Sequence, residues 1–252
     1  PGIIRYDPKS GQRSLIGEKA DLTFPTGIDY SDDRIYVSDF SSVASRVFIF
    51  SEKGSLIGKI PNEKSRDVSL RNPKAVASFE NSLYLCDRGN NRVLVFDRDG
   101  AHKKTINVPE IFREPNGIAI ADNGDIFITL KLSGAAAKIT GKSVSQFTLY
   151  EDDQSGGNRK LTLSKPSGIA VDKQGFVYIA DTQNRRVLIA NPMGRITGII
   201  DQDKLKDFET FYPMSVKLDS QKQYLYIVGA NRYSYEPSCE GKCQSKIWRV
   251  KI

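Results

Sequence analysis

Apolar runs of four to eight residues, rich in Val, Ile, Tyr and Phe, recur along the chain, broken by Asp, Asn, Gly and Lys. That run length and composition predict short strands joined by turns. No segment keeps a 3.6-residue apolar period over a helical length, and "DQDKLKDFETF" has room for one helical turn at most. The runs come in sets, each opened by a proline: Pro25, Pro73, Pro115, Pro166 and Pro213. A first strand follows ("TGIDY", "KAVASF", "NGIAIA", "SGIAVD", "MSVKLD"), then a polar turn and a second strand ("RIYVSD", "SLYLCD", "DIFITL", "FVYIAD", "YLYIVG"). A third starts at a basic residue ("RVFIF", "RVLVF", "KITG", "RVLIA", "KIWRV"). The first four sets add a weaker fourth strand, as in "GSLIGKI" and "GRITGII".

Four antiparallel strands in every ~40–50 residues make one propeller blade. A lone four-stranded sheet cannot bury both faces, whereas stacked blades cover one another. The expected fold is therefore all-β, a β-propeller of five or six four-stranded antiparallel blades within a single domain, 1–252. A sandwich of two sheets would leave the period without a cause. Gly27, Gly117 and Gly168, two residues after their prolines, fit strands crowded near a central axis. The N-terminal run "IIRYDPKSGQRSLIG" reads like the last two strands of a blade. Its strand or strands within residues 3–18 are expected to latch the ring, or to belong to a sixth, diverged blade.

"PSGIAVDKQGFVYIADTQNRRVLIANPMGRITGII" resembles an NHL repeat, and "NPKAVASFENSLYLCDRGNNRVLVFDRDGAHKKTI" is similar, with the same Asp-x-x-Asn-x-Arg-Val core. "PTGIDYSDDRIYVSDFSSVASRVFIFSEKGSLIGKI" fits with a two-residue insertion before Arg46. Units three and five depart: Leu130 and Gly229 stand where Asp87 and Asp181 stand, and unit five carries the insertion "ANRYSYEPSCEGKCQS". The resemblance covers residues 23 to 252 and implies an NHL-type propeller.

Composition adds limits. No run of 18 apolar residues exists, so no helix is expected to span a membrane. The net charge of +7 comes from 37 basic and 30 acidic residues spread through the chain, without a basic arm. That excess allows binding to nucleic acid, acidic proteins or anionic surfaces, or is simply a solvated basic surface. Cys86, inside "SLYLCD", reads as a buried free thiol. Cys239 and Cys243 flank "EGK". Bonded, they would close a small loop and indicate an oxidising compartment; reduced, they are two thiols on a long loop. On this basis the localisation leans towards extracellular or otherwise extracytoplasmic.

The chain holds one histidine, His102, at the entry to an edge strand. A Ser-His-Asp or Cys-His arrangement needs a histidine beside a nucleophile, and that position does not favour one. Some relatives of the NHL repeat cleave peptidyl-hydroxyglycine at a zinc ion held by several histidines, a set this chain cannot supply. Calcium-dependent lactonases and esterases, six-bladed propellers of weaker resemblance, use Glu, Asn and Asp near a central channel. Glu114 and Asn116 in "EPNGIAI" are the weak metal candidates here, although "PNG" is also ordinary turn chemistry. No cofactor and no catalytic residue is assigned. Asp39, Asp87 and Asp181 with Arg46, Arg92 and Arg186 read as pairs internal to each repeat. "YEDDQSGGNRK" reads as a polar loop excursion without calcium-loop spacing.

In a propeller, loops joining second to third strands and fourth to first strands gather on one face. Residues just before the opening prolines supply Phe24, Asn72, Lys165 and Tyr212 to it. The second-to-third loops supply Phe40, Arg88, Lys131, Arg185, Arg232 and Tyr233. Cations and aromatics so gathered suit a protein partner or single-stranded RNA, as in NHL propellers of the tripartite-motif kind. The reading favoured is a monomeric, non-enzymatic platform for protein–protein interaction. RNA binding and a calcium-dependent hydrolase are its alternatives.

Overall fold

A computed structural model describes residues 2–7, 9–18, 20–41, 44–152, 157–205, 211–219, 221–231 and 244–252. It is a β-propeller of five antiparallel blades. The chain divides into two compact units, Pro1–Val108 and Pro109–Ile252.

In the first unit β1 (Ile3–Tyr6) and β2 (Arg13–Ile16) form a hairpin that pairs Ile3 with Ile16. Blade 1 follows as β3 (Pro25–Ser31), β4 (Arg34–Asp39), β5 (Arg46–Ser51) and β6 (Leu56–Ile60). Blade 2 is β7 (Pro73–Phe79), β8 (Ser82–Asp87), β9 (Arg92–Asp97) and β10 (His102–Ile106). The period-2 geometry of a strand sends alternate side chains to opposite faces. On β5, Val47 and Ile49 pack with Tyr36, Val76, Leu85 and Phe96 between the two blades. Phe48 and Phe50 point the other way, into a cluster with Ile35, Val37, Leu22 and Ile16 of the hairpin. Middle strands are thus apolar on both faces, and their sequences read as continuous apolar runs. The hairpin's ladder is internal, and its packing is on blade 1.

The second unit opens with blade 3: β11 (Pro115–Ile120), β12 (Ile126–Leu130), β13 (Ala135–Thr140) and β14 (Ser143–Phe147). Next, β15 (Leu149–Asp152) and β16 (Asn158–Leu161) pair Tyr150 with Lys160. The acidic stretch read as a loop is therefore a hairpin at both ends, because "LYED" and "NRKL" can ladder against each other. Blade 4 is β17 (Ile169–Val171), β18 (Val177–Asp181), β19 (Arg186–Ala190) and β20 (Ile196–Ile200). A single helical turn, α1 (Gln202–Leu205), follows it. Blade 5 has three strands among the described residues: β21 (Tyr212–Leu218), β22 (Tyr224–Ala230) and β23 (Ser245–Lys251). No helix among the described residues is long and apolar enough to cross a membrane.

Neighbouring blades within each unit meet through their first strands. A Cβ on Gly168 would lie 2.6 Å from Ser215 Cα and Val216 N of the next blade, and one on Gly27 would lie 3.0 Å from Ala75 Cα. Only glycine fits such an approach. The residue after the proline then ties the blades: Thr26 Oγ1 donates to Pro73 O at 2.8 Å, and Asn116 Nδ2 donates to Pro166 O at 3.1 Å. Ser167 Oγ donates to Pro213 O at 3.3 Å.

One position of the repeat breaks the pattern of burial. Three residues after the opening proline stand Ile118 and Ile169, each 2% exposed, but Ile28 on β3 is 48% exposed. Cys86 on β8 is fully buried, and burial pushes its thiol up.

Candidate functional site

Three buried aspartates organise the loops. Each ends a second strand, as the repeat predicted, and each reaches back to the residue two before its blade's proline. Asp39 accepts the Thr23 N–H on both oxygens at 3.0 Å. Asp87 Oδ1 accepts the Arg71 N–H at 2.7 Å, and Asp181 Oδ1 accepts the Ser164 N–H at 2.7 Å. The second oxygen of Asp87 takes Asn90 Nδ2 and Arg92 Nε, both at 2.8 Å. That of Asp181 takes Asn184 Nδ2 at 2.8 Å and Arg186 Nε at 2.9 Å. The Asp-x-x-Asn-x-Arg spelling is therefore a loop clamp. An Asn and an Arg satisfy one oxygen and a backbone N–H the other, as a buried carboxylate requires. Burial pushes the Asp39 carboxyl up, against the opposing backbone bonds from Thr23 and Phe24.

The backbone just before three of the prolines is left-handed, and in blades 2 and 4 a clamp stands beside it. Asn72, Glu114 and Lys165, each just before an opening proline, have φ of 50°, 54° and 45°. The left-handed region costs a non-glycine residue about 1–3 kcal/mol unless its surroundings enforce it. Arg185 caps the 3-10 turn Thr182–Asn184 with φ 54°, and Arg88 opens the matching turn Arg88–Asn90. Lys131 donates its backbone N–H to Glu114 O at 3.0 Å. Tyr212 opens β21 and is half-buried. Arg232, Tyr233, Cys239 and Cys243 lie outside the described residues.

In the first unit these loops bound a cavity of about 450 Å³. Phe40, Pro61, Leu70 and Ala44 supply apolar walls, and Ser41, Ser45, Ser69, Arg71 and Asn72 supply polar ones. Two residues of the expected face, Phe40 and Asn72, are thereby brought into one groove. A third stands close by: Phe24 is 63% exposed, with its ring centroid 6.5 Å from that of Phe40. The Phe40 N–H donates to Phe24 O at 2.9 Å, which fixes the pair. Sequence reasoning missed Arg71. Its signal was position: it stands two residues before the proline, where Thr23 and Ser164 stand, in a blade whose second strand ends in an aspartate. Its backbone is held by Asp87 on one side and by the Gly89 N–H, 2.7 Å from Arg71 O, on the other.

The metal candidates have other roles in the described structure. Asn116 occupies the blade-tying position of Thr26 and Ser167. Glu114 sits in the left-handed turn before Pro115. Among the described residues no three His, Cys, Asp or Glu side chains converge. His102, on the edge strand β10, places Nε2 3.0 Å from Thr105 Oγ1, and its ring lies 5.7 Å from that of Phe96. One histidine so placed does not fit a multi-histidine zinc site.

The teneurin NHL domain family matches residues 17–223. The chain belongs to this family. A probable peptidyl-alpha-hydroxyglycine alpha-amidating lyase of Caenorhabditis elegans is 26% identical over 111 residues, which is 42% of this chain and 32% of that protein. Three solved structures share the fold at low identity. A chain of the nidogen/laminin complex superposes with a TM-score of 0.68 at 16% identity, covering 88% of this chain and 80% of that one. A luciferin-regenerating enzyme gives 0.63 at 14% identity, covering 99% and 83%. The virginiamycin B lyase of Staphylococcus aureus gives 0.54 at 14% identity, covering 91% and 85%.

Proposed function

We propose that this teneurin-type NHL propeller is a non-enzymatic platform that binds a protein partner through its loop face. The observation that carries the reading is the groove in the first unit. Exposed Phe24, half-buried Phe40 and exposed Arg71 stand together on a backbone pinned by buried aspartates. Aromatics and arginine on a rigid frame are the residues that dominate protein interfaces, because they bury large area at small entropic cost. A nidogen/laminin complex among the fold's neighbours supports the same reading. The amidating-lyase reading is disfavoured by donor chemistry, since the single His102 is engaged on an edge strand.

The test is partner retention on immobilised full chain, quantified for wild type, Phe24→Ser, Arg185→Glu and the edge-strand control Lys103→Glu. Loss in a loop-face variant with retention in the control supports the proposal. Equal retention in all four overturns it, and retention abolished by ribonuclease moves the partner class to RNA.

A further inference from the structure

We infer that the groove of the first unit takes an extended acidic peptide segment, with a carboxylate on the Arg71 guanidinium and the adjoining apolar side chain over Phe40 and Leu70. This rests on the platform reading above and names its ligand chemistry. The charge balance inside the groove favours an acidic ligand. Of its lining residues Arg71 alone is charged, and no lining residue is a carboxylate. The nearby Asp87 does not neutralise it. Asp87 is buried, one oxygen is taken by the Arg71 backbone N–H, and the other is shared by Asn90 and Arg92. Its ion pair is with Arg92, and among the described residues no carboxylate pairs with the Arg71 guanidinium.

Shape and rigidity agree. A guanidinium presents paired donors that match a carboxylate, and it is less strongly hydrated than an ammonium. The Arg71 stem lies over Gly89, where an added Cβ would sit 2.6 Å from Arg71 Cγ. The side chain is therefore launched from a fixed backbone across a residue that has no side chain of its own. Ordering it for binding costs less than ordering a free surface arginine. A cavity of about 450 Å³ accommodates one or two side chains. The half-buried Phe40, Leu70 and Pro61 form the apolar wall beside the cation. Asn72 adds an amide that can bond the main chain of an extended segment.

The experiment is fluorescence anisotropy on the full chain with a fluorescein-labelled hexapeptide, Gly-Glu-Leu-Glu-Phe-Gly, and its Glu-to-Gln counterpart. Saturable binding of the Glu peptide is expected, at least about tenfold weaker for the Gln peptide and weakening with salt. Arg71→Gln is expected to lower affinity for the Glu peptide by about tenfold, with Arg71→Lys between the two and Lys103→Gln unchanged. Because Arg71 is clamped through its backbone, these variants keep the clamp, which matching thermal melts verify. Wild-type affinity in Arg71→Gln, equal binding of the two peptides, or no saturable binding overturns the inference. So does tighter, Arg71-dependent binding of a labelled oligouridylate. The two proposals fail separately. Partner retention lost in Phe24→Ser, with peptide binding indifferent to Arg71, removes the groove's ligand and leaves the platform.

Discussion

Arg92 Nε donates to the buried Asp87 Oδ2 at 2.8 Å, five residues back along the chain, and the same bond recurs between Arg186 and Asp181 at 2.9 Å. The pair does more than join two strand ends. Through its other oxygen, Asp87 holds Arg71, so the repeat's motif positions the groove's cation. Removing one member of such a pair leaves a buried group without its partner. Asp87→Ala is expected to cost about 3–5 kcal/mol in urea unfolding and to weaken any ligand of the groove.

Ile28 and Ile118 occupy the same position of two repeats, three residues after the opening proline, and differ only in what covers them. Ile118→Ala is expected to cost about 2–5 kcal/mol. Ile28→Ala, at a side chain 48% exposed, is expected to cost under about 1 kcal/mol. Thermal melts of the two variants decide it, and equal losses would show that Ile28 is covered in solution.

Gly168 and Gly58 separate close approach from simple flexibility. A methyl group on Gly168 meets the backbone of Ser215 and Val216 at 2.6 Å, whereas on Gly58 its nearest neighbour is Ile49 Cδ1 at 3.5 Å. Gly168→Ala is expected to destabilise by about 1–3 kcal/mol, since backbone cannot move aside. Gly58→Ala is expected to be neutral or to stabilise by up to about 1 kcal/mol. Denaturant midpoints of both variants check the contrast.

Acid should expose the Asp125–Lys138 pair, 2.8 Å apart on blade 3. Burial pushes the Asp125 carboxyl up, but side-chain hydrogen bonds from Lys138, Thr140 and Asn123 outweigh it and hold the group below its ordinary value. In acid the unfolded chain therefore takes up this proton first. The contribution is complete above about pH 4, the unfolded value, and is lost as pH falls through the folded one. Asp125→Asn is expected to lower stability by up to about 1 kcal/mol at pH 7. The gap from wild type should close once the pH has fallen through the lowered folded-state value. A gap that persists unchanged in strong acid would assign the effect to packing instead.

Much of this molecule is legible in its sequence. Strand length, turn chemistry, the opening prolines and the NHL period all follow from rules that act within one repeat. Two of the three expected pairs of second-strand aspartate and third-strand arginine form, Asp87 with Arg92 and Asp181 with Arg186, because both ends of each bond lie within a single turn; Asp39, seven residues from Arg46 across the longer loop, is held by the Thr23 N–H instead. The groove was half legible: Phe40 and Asn72 belong to loops whose placement a propeller dictates. Arg71 was passed over because its backbone partner, Asp87, is sixteen residues away, across two strands. The acidic stretch from Tyr150 was misjudged as a loop because its strands are short and polar, and only their mutual ladder declares them.

By itself, then, the chain's spelling determined the strands, their grouping into blades and the family, since these depend on local alternation and on a repeat that needs no outside partner. Tertiary structure alone decided which face of each strand is covered, that Asn116 ties two blades, and that Arg71 stands as the single charge among the residues lining the groove. A strand's alternation says that two faces exist. What lies against each face is contributed by residues tens of positions away, and burial, pairing and charge balance are properties of that contact.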